Sequence, residues 1–223
     1  MDLNKSLEFF DPSKVKNKRC HIIGCGSIGG FVAEALARHG VENIYLYDFD
    51  IVEPHNIVNQ IYTELDIGKH KEVALMEFLY KINPRLKRTL KLRGKYTDQI
   101  LTDYVFMCVD SVEVRNQIVE TNKNNPLVKA IFDFRTTLHE GQCYYADWTK
   151  QKERDSLIES LNFTHEEALE NTPVSACGFE LSVSPVVIIT ALMGVVNFMN
   201  LINNEETKRL IIINPYSYNF LAV

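Results

Sequence analysis

The chain alternates short apolar runs with stretches whose apolar residues recur at helical spacing. "RCHIIG", "NIYLYDFD", "DYVFMCVD" and "KAIFDFR" have the length of buried strands. Between the first two, Ile28, Val32, Ala35 and Leu36 share one face of a helix that Gly40 stops. Val73, Met76, Leu79 and Ile82 repeat that spacing until Pro84, whose ring disfavours helical geometry at Asn83. "VEVRNQIVETNKN" predicts a further helix, and "RTLKLRGKY", alternating apolar and basic, predicts a strand with one exposed face. Strands that alternate with helices imply a parallel sheet covered on both faces, with ligands at the carboxyl ends of its strands. Gly24 to Gly29, Asp48, Asp50 and Asp110 all fall at such ends.

After Arg135 the pattern changes. "LHEGQCYYADW" predicts a hairpin, and "LIIINPYSYNFLAV" predicts two strands around an Asn-Pro turn. Residues 149–176 are polar and weakly helical, which suits a mobile crossover or lid. Pro185 to Ile202 is apolar on most sides. It falls short of the ~20 residues of a membrane span and lacks basic flanks, so a helix buried in a core or subunit interface is expected. The expected fold class is α/β: a Rossmann-like parallel sheet continued by antiparallel strands into one mixed sheet with helices on both faces. The 223 residues fit one domain spanning 1–223, with 1–18 as an N-terminal lead-in.

Composition narrows the classes. A hydrophobic share of 46% and a charged share of 24% suit a soluble globular protein, and a net charge of −5 gives no reason to expect nucleic acid as a partner. The basic run from Lys14 to Arg19 reads as a solvated lead-in to the first strand. Five scattered cysteines without a C-x-x-C pair argue against a disulfide framework or a four-cysteine zinc site. The opening residues lack the apolar core of a secretory signal, so a reducing, cytoplasmic setting is expected, with no membrane partner.

The chemistry begins at Gly24, Gly26 and Gly29, which fit G-x-G-x-x-G and bring backbone N–H groups, with Ser27, against a phosphate at a helix start. Asp48, 19 residues beyond Gly29, suits ribose hydroxyls. That much serves NAD and ATP equally. An NAD-dependent oxidoreductase, however, leaves unexplained the next connection, which carries Asp50, Asn56, Gln60 and Lys71. A lysine near a triphosphate neutralises charge built up during attack at phosphorus, and Asp110 at a neighbouring strand end can hold Mg²⁺. A nucleotide-binding module without adenylation activity is the remaining alternative.

The ordered motifs "GCGSIGG…YLYDFDIVEPHNIVNQ…IGKHK…INP…CVDSVEVRNQI" resemble the ThiF/MoeB/HesA superfamily, which includes the ubiquitin-activating enzymes. The resemblance covers about Arg19 to Ile118 and resumes near Cys177. It implies ATP- and Mg²⁺-dependent adenylation of the C-terminal glycine carboxylate of a small ubiquitin-like protein, by a homodimer. Asp48 would hold the ribose, Gly26 and its neighbours the phosphates, Asn56 and Lys71 the triphosphate, and Asp110 the metal. Cys177, eight residues before Pro185, matches the family's acyl-accepting cysteine. Arg115 in "VRN" also matches, although a salt bridge steadying the sheet explains it better.

The chain departs from the family in three places. Asn59 stands where many members carry an arginine. Only lysines precede Arg19 where many supply an arginine to the partner subunit, and lysine lacks the forked guanidinium geometry. Cys143 stands where a zinc-binding C-x-x-C starts, but its partner position is Ala146, so no zinc is expected. None of the six histidines has a partner at ligand spacing. A different acyl target, such as a peptide or a modified tRNA base, is the alternative within the superfamily.

Overall fold

The computed structural model describes residues 2–162 and 181–223. Its centre is an eight-stranded sheet, ordered β3-β2-β1-β4-β5-β6-β7-β8. The strands are β1 (Cys20–Ile23), β2 (Ile44–Tyr47), β3 (Lys91–Leu92), β4 (Asp103–Met107), β5 (Val128–Thr136), β6 (Gly141–Asp147), β7 (Leu210–Asn214) and β8 (Asn219–Ala222). Pairing is parallel from β3 to β5 and antiparallel from β5 to β8. The mixed sheet expected from the sequence is therefore present, and β5 is the seam between its halves.

Alternation along the strands sends side chains to two cores. On one face, Phe106, Phe132 and Phe134 pack with Val32 and Leu36 of α1 (Ser27–Arg38) and with Val187, Ala191, Val195 and Phe198 of α6 (Ser184–Asn203). The rings of Phe106 and Phe132 stack at 5.0 Å, and Phe198 meets Phe106 edge-on at 5.5 Å. On the other face, Ile23, Val105, Met107 and Ile131 pack with Ile118 and Val119 of α4 (Val112–Asn122) and with Leu157 of α5 (Gln151–Glu159). Each such side chain contributes roughly 1.5–3 kcal/mol by leaving water. Trp148 closes this second core, its indole N–H donating to the Asn122 carbonyl at 2.7 Å.

The helix expected from Pro185 to Ile202 forms as α6, with Pro185 in its first turn and Asn204 ending it in the left-handed region at φ 58°. At 20 residues it is longer than the sequence reading allowed, and by length and composition it could cross a bilayer. Instead, 56% of its most apolar window is buried. The approach to the sheet is close: a Cβ at Gly194 would overlap the Phe134 ring, and one at Gly141 of β6 would overlap the Thr190 hydroxyl.

Two local expectations need correction. "RTLKLRGKY" is not one strand, because Leu86 and Leu90, four apart and both buried, reach the core from a helical turn. That turn is α3 (Leu86–Thr89), which follows α2 (Lys71–Ile82) and leaves only Lys91–Leu92 to pair with β2. "LHEGQCYYADW" supplies one strand, β6, not a hairpin of its own. Its partner is β5, across a turn in which Thr137 N–H donates to Glu140 O at 2.8 Å. The hairpin of β7 and β8 forms as expected, the Asn214 side chain accepting from the N–H groups of Tyr216 and Ser217 at 3.1 and 3.0 Å. The crossover or lid expected over 149–176 includes α5, but from residue 163 onward it lies outside the described residues.

Candidate functional site

From β1 the chain passes to β2 and β3 on one side, then to β4 and β5 on the other. The crevice at the carboxyl ends of β1 and β4 is the position where open α/β sheets bind ligands. Gly24 enters it at φ +94°, and a Cβ there would lie 2.6 Å from the Cys108 carbonyl oxygen, so only glycine lets β1 pass so near the end of β4. A Cβ at Gly29 would overlap the Gly24 carbonyl, which closes the turn on itself. Gly26 differs. It caps the N-terminus of α1, just before Ser27, and among the described residues nothing lies within 4 Å of where its Cβ would stand. The start of α1 is therefore open to an anion, with the helix dipole favouring it.

Asp48, at the end of β2, accepts from the Cys25 N–H at 2.6 Å and from the Asp50 N–H at 2.8 Å. Burial raises its pKa above the usual carboxylate value, and those two N–H bonds oppose the shift. Asp50 in turn accepts from the backbone N–H of Lys71 at 2.9 Å, and its carboxylate pairs with the Lys71 ammonium at 2.9 Å. Lys71 is the first residue of α2 and its side chain is only 10% exposed, so the ammonium is aimed rather than free to roam.

The other residues singled out from sequence are placed differently. Asn56 is buried, and its side-chain carbonyl accepts from the Glu53 N–H at 2.9 Å, holding the short turn Pro54–Val58. Gln60 is half-buried; its Oε1 is buried with no hydrogen-bond partner among the described residues. Asp110 is exposed just beyond β4. One carboxylate at a strand end suits Mg²⁺, which takes one or two carboxylates together with substrate phosphates. Among the described residues no group of three or more His, Cys, Asp or Glu side chains could hold a metal by itself. Cys177 lies outside the described residues.

Arg115 is the salt-bridge residue the sequence suggested. It is buried, pairs with Asp133, and donates to the carbonyls of Val109 and Phe134, the latter at 2.7 Å. It thereby anchors the strand end that presents Asp110. Sequence reasoning missed the rest of this cluster. Asp133 on β5 is fully buried and also accepts from Arg135 Nε at 2.7 Å. Arg135 reaches Ser160 through both terminal nitrogens at 2.8 Å and lies 4.0 Å over the Tyr144 ring. Burial lowers the pKa of each guanidinium to about 10. The available signal was an acid between two phenylalanines of an apolar strand, a placement that requires a buried cation.

The other thiols and His21 are held by packing. Cys25, Cys108 and Cys143 have their thiol pKa values raised by burial, which keeps them protonated and poorly nucleophilic. Cys143 is core, facing Gly194 of α6. His21 is buried beside Tyr47, 2.8 Å from its hydroxyl.

The ThiF family model matches residues 7–222. The molybdopterin-synthase adenylyltransferase of Escherichia coli is 31% identical over 121 residues, which are 51% of this chain and 48% of that protein. The adenylyltransferase and sulfurtransferase MOCS3 of Xenopus laevis is 31% identical over 137 residues, 55% of this chain and 30% of that protein. The chain thus spans less than half the length of these curated relatives. The crystal structure of E. coli MccB with ATP shares the fold, with a TM-score of 0.74 at 19% identity over 95% of this chain and 65% of that one.

Proposed function

We propose, from the premise that the chain belongs to the ThiF family, that it binds ATP at the carboxyl ends of β1, β2 and β4 and adenylates the C-terminal carboxylate of a small ubiquitin-like protein. The observation that carries this reading is the join between the open start of α1 and Lys71. Asp48 and Asp50 link the two, so a phosphate-accepting helix end and an aimed cation belong to one rigid unit. A hydride-transfer site has no use for that second element. The named relatives are adenylyltransferases, which agrees with it.

In this reading Asp48 holds the ribose hydroxyls, while Gly26, Ser27 and their neighbours face the phosphates. Lys71, with Asn56 and Gln60 from the same connection, meets the triphosphate. Asp110 would hold Mg²⁺, which when bound neutralises phosphate charge. The substrate carboxylate attacks the α-phosphorus, forming an acyl–phosphate bond as the bond to the β-phosphate oxygen breaks and pyrophosphate leaves. Lys71 stabilises the charge that accumulates during this displacement. Cys177 then takes the acyl group as a thioester, with AMP leaving, and the working unit is a homodimer.

ATP–pyrophosphate exchange tests this, using purified protein with a ubiquitin-like protein ending in glycine. Exchange should appear, and Lys71→Ala should lower it about 100-fold. Tight ATP binding without exchange across such carriers would identify a binding module instead, and a change in nicotinamide absorbance would favour the oxidoreductase. Transfer to the carrier's acceptor that survives Cys177→Ala intact would remove the thioester step.

A further inference from the structure

Tyr62 lies in the connection between β2 and α2, among polar residues, yet it is only 4% exposed. Its hydroxyl sits 2.5 Å from the Cys25 carbonyl oxygen, inside the glycine turn, and 3.1 Å from the carbonyl oxygen of Lys71. A phenol has one hydrogen. The shorter separation assigns it to Cys25, with Lys71 O as the second acceptor within reach. Burial pushes the phenol's pKa upward, so it stays a donor at any pH the fold tolerates.

With this contact the bonds around the site close into a circuit. Cys25 donates to Asp48, Asp50 donates to Asp48, Lys71 donates to Asp50 through both its backbone N–H and its ammonium, and the Tyr62 hydroxyl, lying against the Lys71 carbonyl at the start of α2, donates to the Cys25 carbonyl. Asp50 is exposed and Asp48 half-buried, whereas Tyr62 is buried on the inner side of the same gap. Without its hydroxyl, the hydrogen bonds that join the glycine turn to the first turn of α2 among the described residues would run through Asp48 and Asp50.

We propose that Tyr62 is a positioning residue for the triphosphate. Its hydroxyl sets the separation between the phosphate-facing glycine turn and the Lys71 ammonium, and so acts on the nucleotide through both without touching it. The proposal rests on the ATP reading given above. Tyr62→Phe tests it, since the ring still fills its space while the Cys25 carbonyl loses its donor. Binding of ATP and of adenosine is measured by calorimetry for the wild type, Tyr62→Phe, Lys71→Ala and the double variant.

Tyr62→Phe should weaken ATP binding about tenfold and leave adenosine binding unchanged, because only the phosphates bridge turn and lysine. In the Lys71→Ala background the same change should alter ATP affinity less than about twofold, since two residues acting through one contact are not additive. In the nucleotide-free protein, the amides of Cys25 and Gly26 should exchange faster in Tyr62→Phe while those of α6 keep their rates. Equal losses for ATP and adenosine, full additivity with Lys71→Ala, or unchanged exchange at Cys25 would each overturn the proposal. Wild-type protein that binds ATP beside a Tyr62→Phe variant of equal affinity defeats this inference alone. Wild-type protein that binds no ATP defeats the functional reading, and the inference with it.

Discussion

The carboxyl ends of the parallel strands and the antiparallel half of the sheet are held by different kinds of contact. At the ends of β1, β2 and β4 the chain is fixed by carboxylates and a phenol bonded to backbone groups, and one glycine in the turn has no described residue against the place for its Cβ. Around β6 and β7 it is fixed by α6 lying tightly on apolar side chains, and Gly141 and Gly194 are there because a methyl would not fit. Glycine has two uses here: a closed position serves packing, while one beside a helix start with no described residue against it leaves the backbone N–H groups accessible on that side.

The seam between the halves offers the hardest way to break the comparison. Asp133 on β5 is the shared carboxylate of Arg115, which steadies the parallel half, and of Arg135, which reaches across to Ser160. Asp133→Ala leaves two buried guanidiniums without that carboxylate and should cost about 3–5 kcal/mol in urea denaturation. Adding Arg135→Met should recover part of the loss. If Asp133→Ala unfolds at the wild-type urea concentration, the two halves are not joined through this cluster.

Acid should weaken the parallel half through His21. Burial holds its pKa near 4, below the ordinary 6.5, with Arg19 adding to the effect. Above about pH 6.5 both folded and unfolded states carry it neutral, and its contribution is complete. As the pH falls from 6.5 toward 4 the unfolded chain takes up a proton that the folded one refuses, so stability drops, by up to about 3 kcal/mol, and then levels. The difference in melting temperature between wild type and His21→Gln, followed from pH 7 to 4, isolates this group. Parallel curves would show that His21 does not titrate as its burial requires.

Next in size is the closed glycine of each half. Gly194→Ala drives a methyl into the Phe134 ring and should cost about 1–3 kcal/mol without changing ATP affinity. Gly29→Ala meets the unyielding Gly24 backbone, so it should cost at least as much and weaken ATP binding too. Loss of ATP binding in Gly194→Ala at a temperature where it is folded would mean that the antiparallel half reaches the nucleotide.

What could be read from the sequence was what neighbours along the chain determine. The glycine turn, the acids ending β2 and β4, the α6 helix after Pro185 and the β7–β8 hairpin each depend on spacing within a few residues, and each lies where the spacing put it. The β3 region misled because Leu90 fits both the alternation with Leu92 and the i,i+4 spacing with Leu86, and the buried Leu86–Leu90 pair favours the helical turn. Asn56 was assigned from resemblance, and its carbonyl proves to be occupied within its own turn. Tyr62, Asp133 and Arg135 were missed because their partners lie 9 to 37, 2 to 18 and 2 to 25 residues away on other elements or across a strand end. No local period records a contact of that kind, although a charged residue inside a buried strand does announce that one must exist.

The smallest expected change in stability belongs to the open glycine, and it bears most directly on function. Gly26 has a negative φ, −74°, and among the described residues no atom stands within 4 Å of the place for its Cβ. Gly26→Ala should therefore move unfolding by no more than about 0.5 kcal/mol. The added methyl would nevertheless occupy the approach to the first turn of α1, where phosphate needs contact with backbone N–H groups. ATP affinity should fall about tenfold, roughly 1.4 kcal/mol, against a nearly unchanged melting temperature. A variant that melts early shows that the space is filled in solution. One that is stable and binds ATP normally shows that phosphate does not come to this end of the helix, and the distinction between open and closed glycines would lose its functional meaning here.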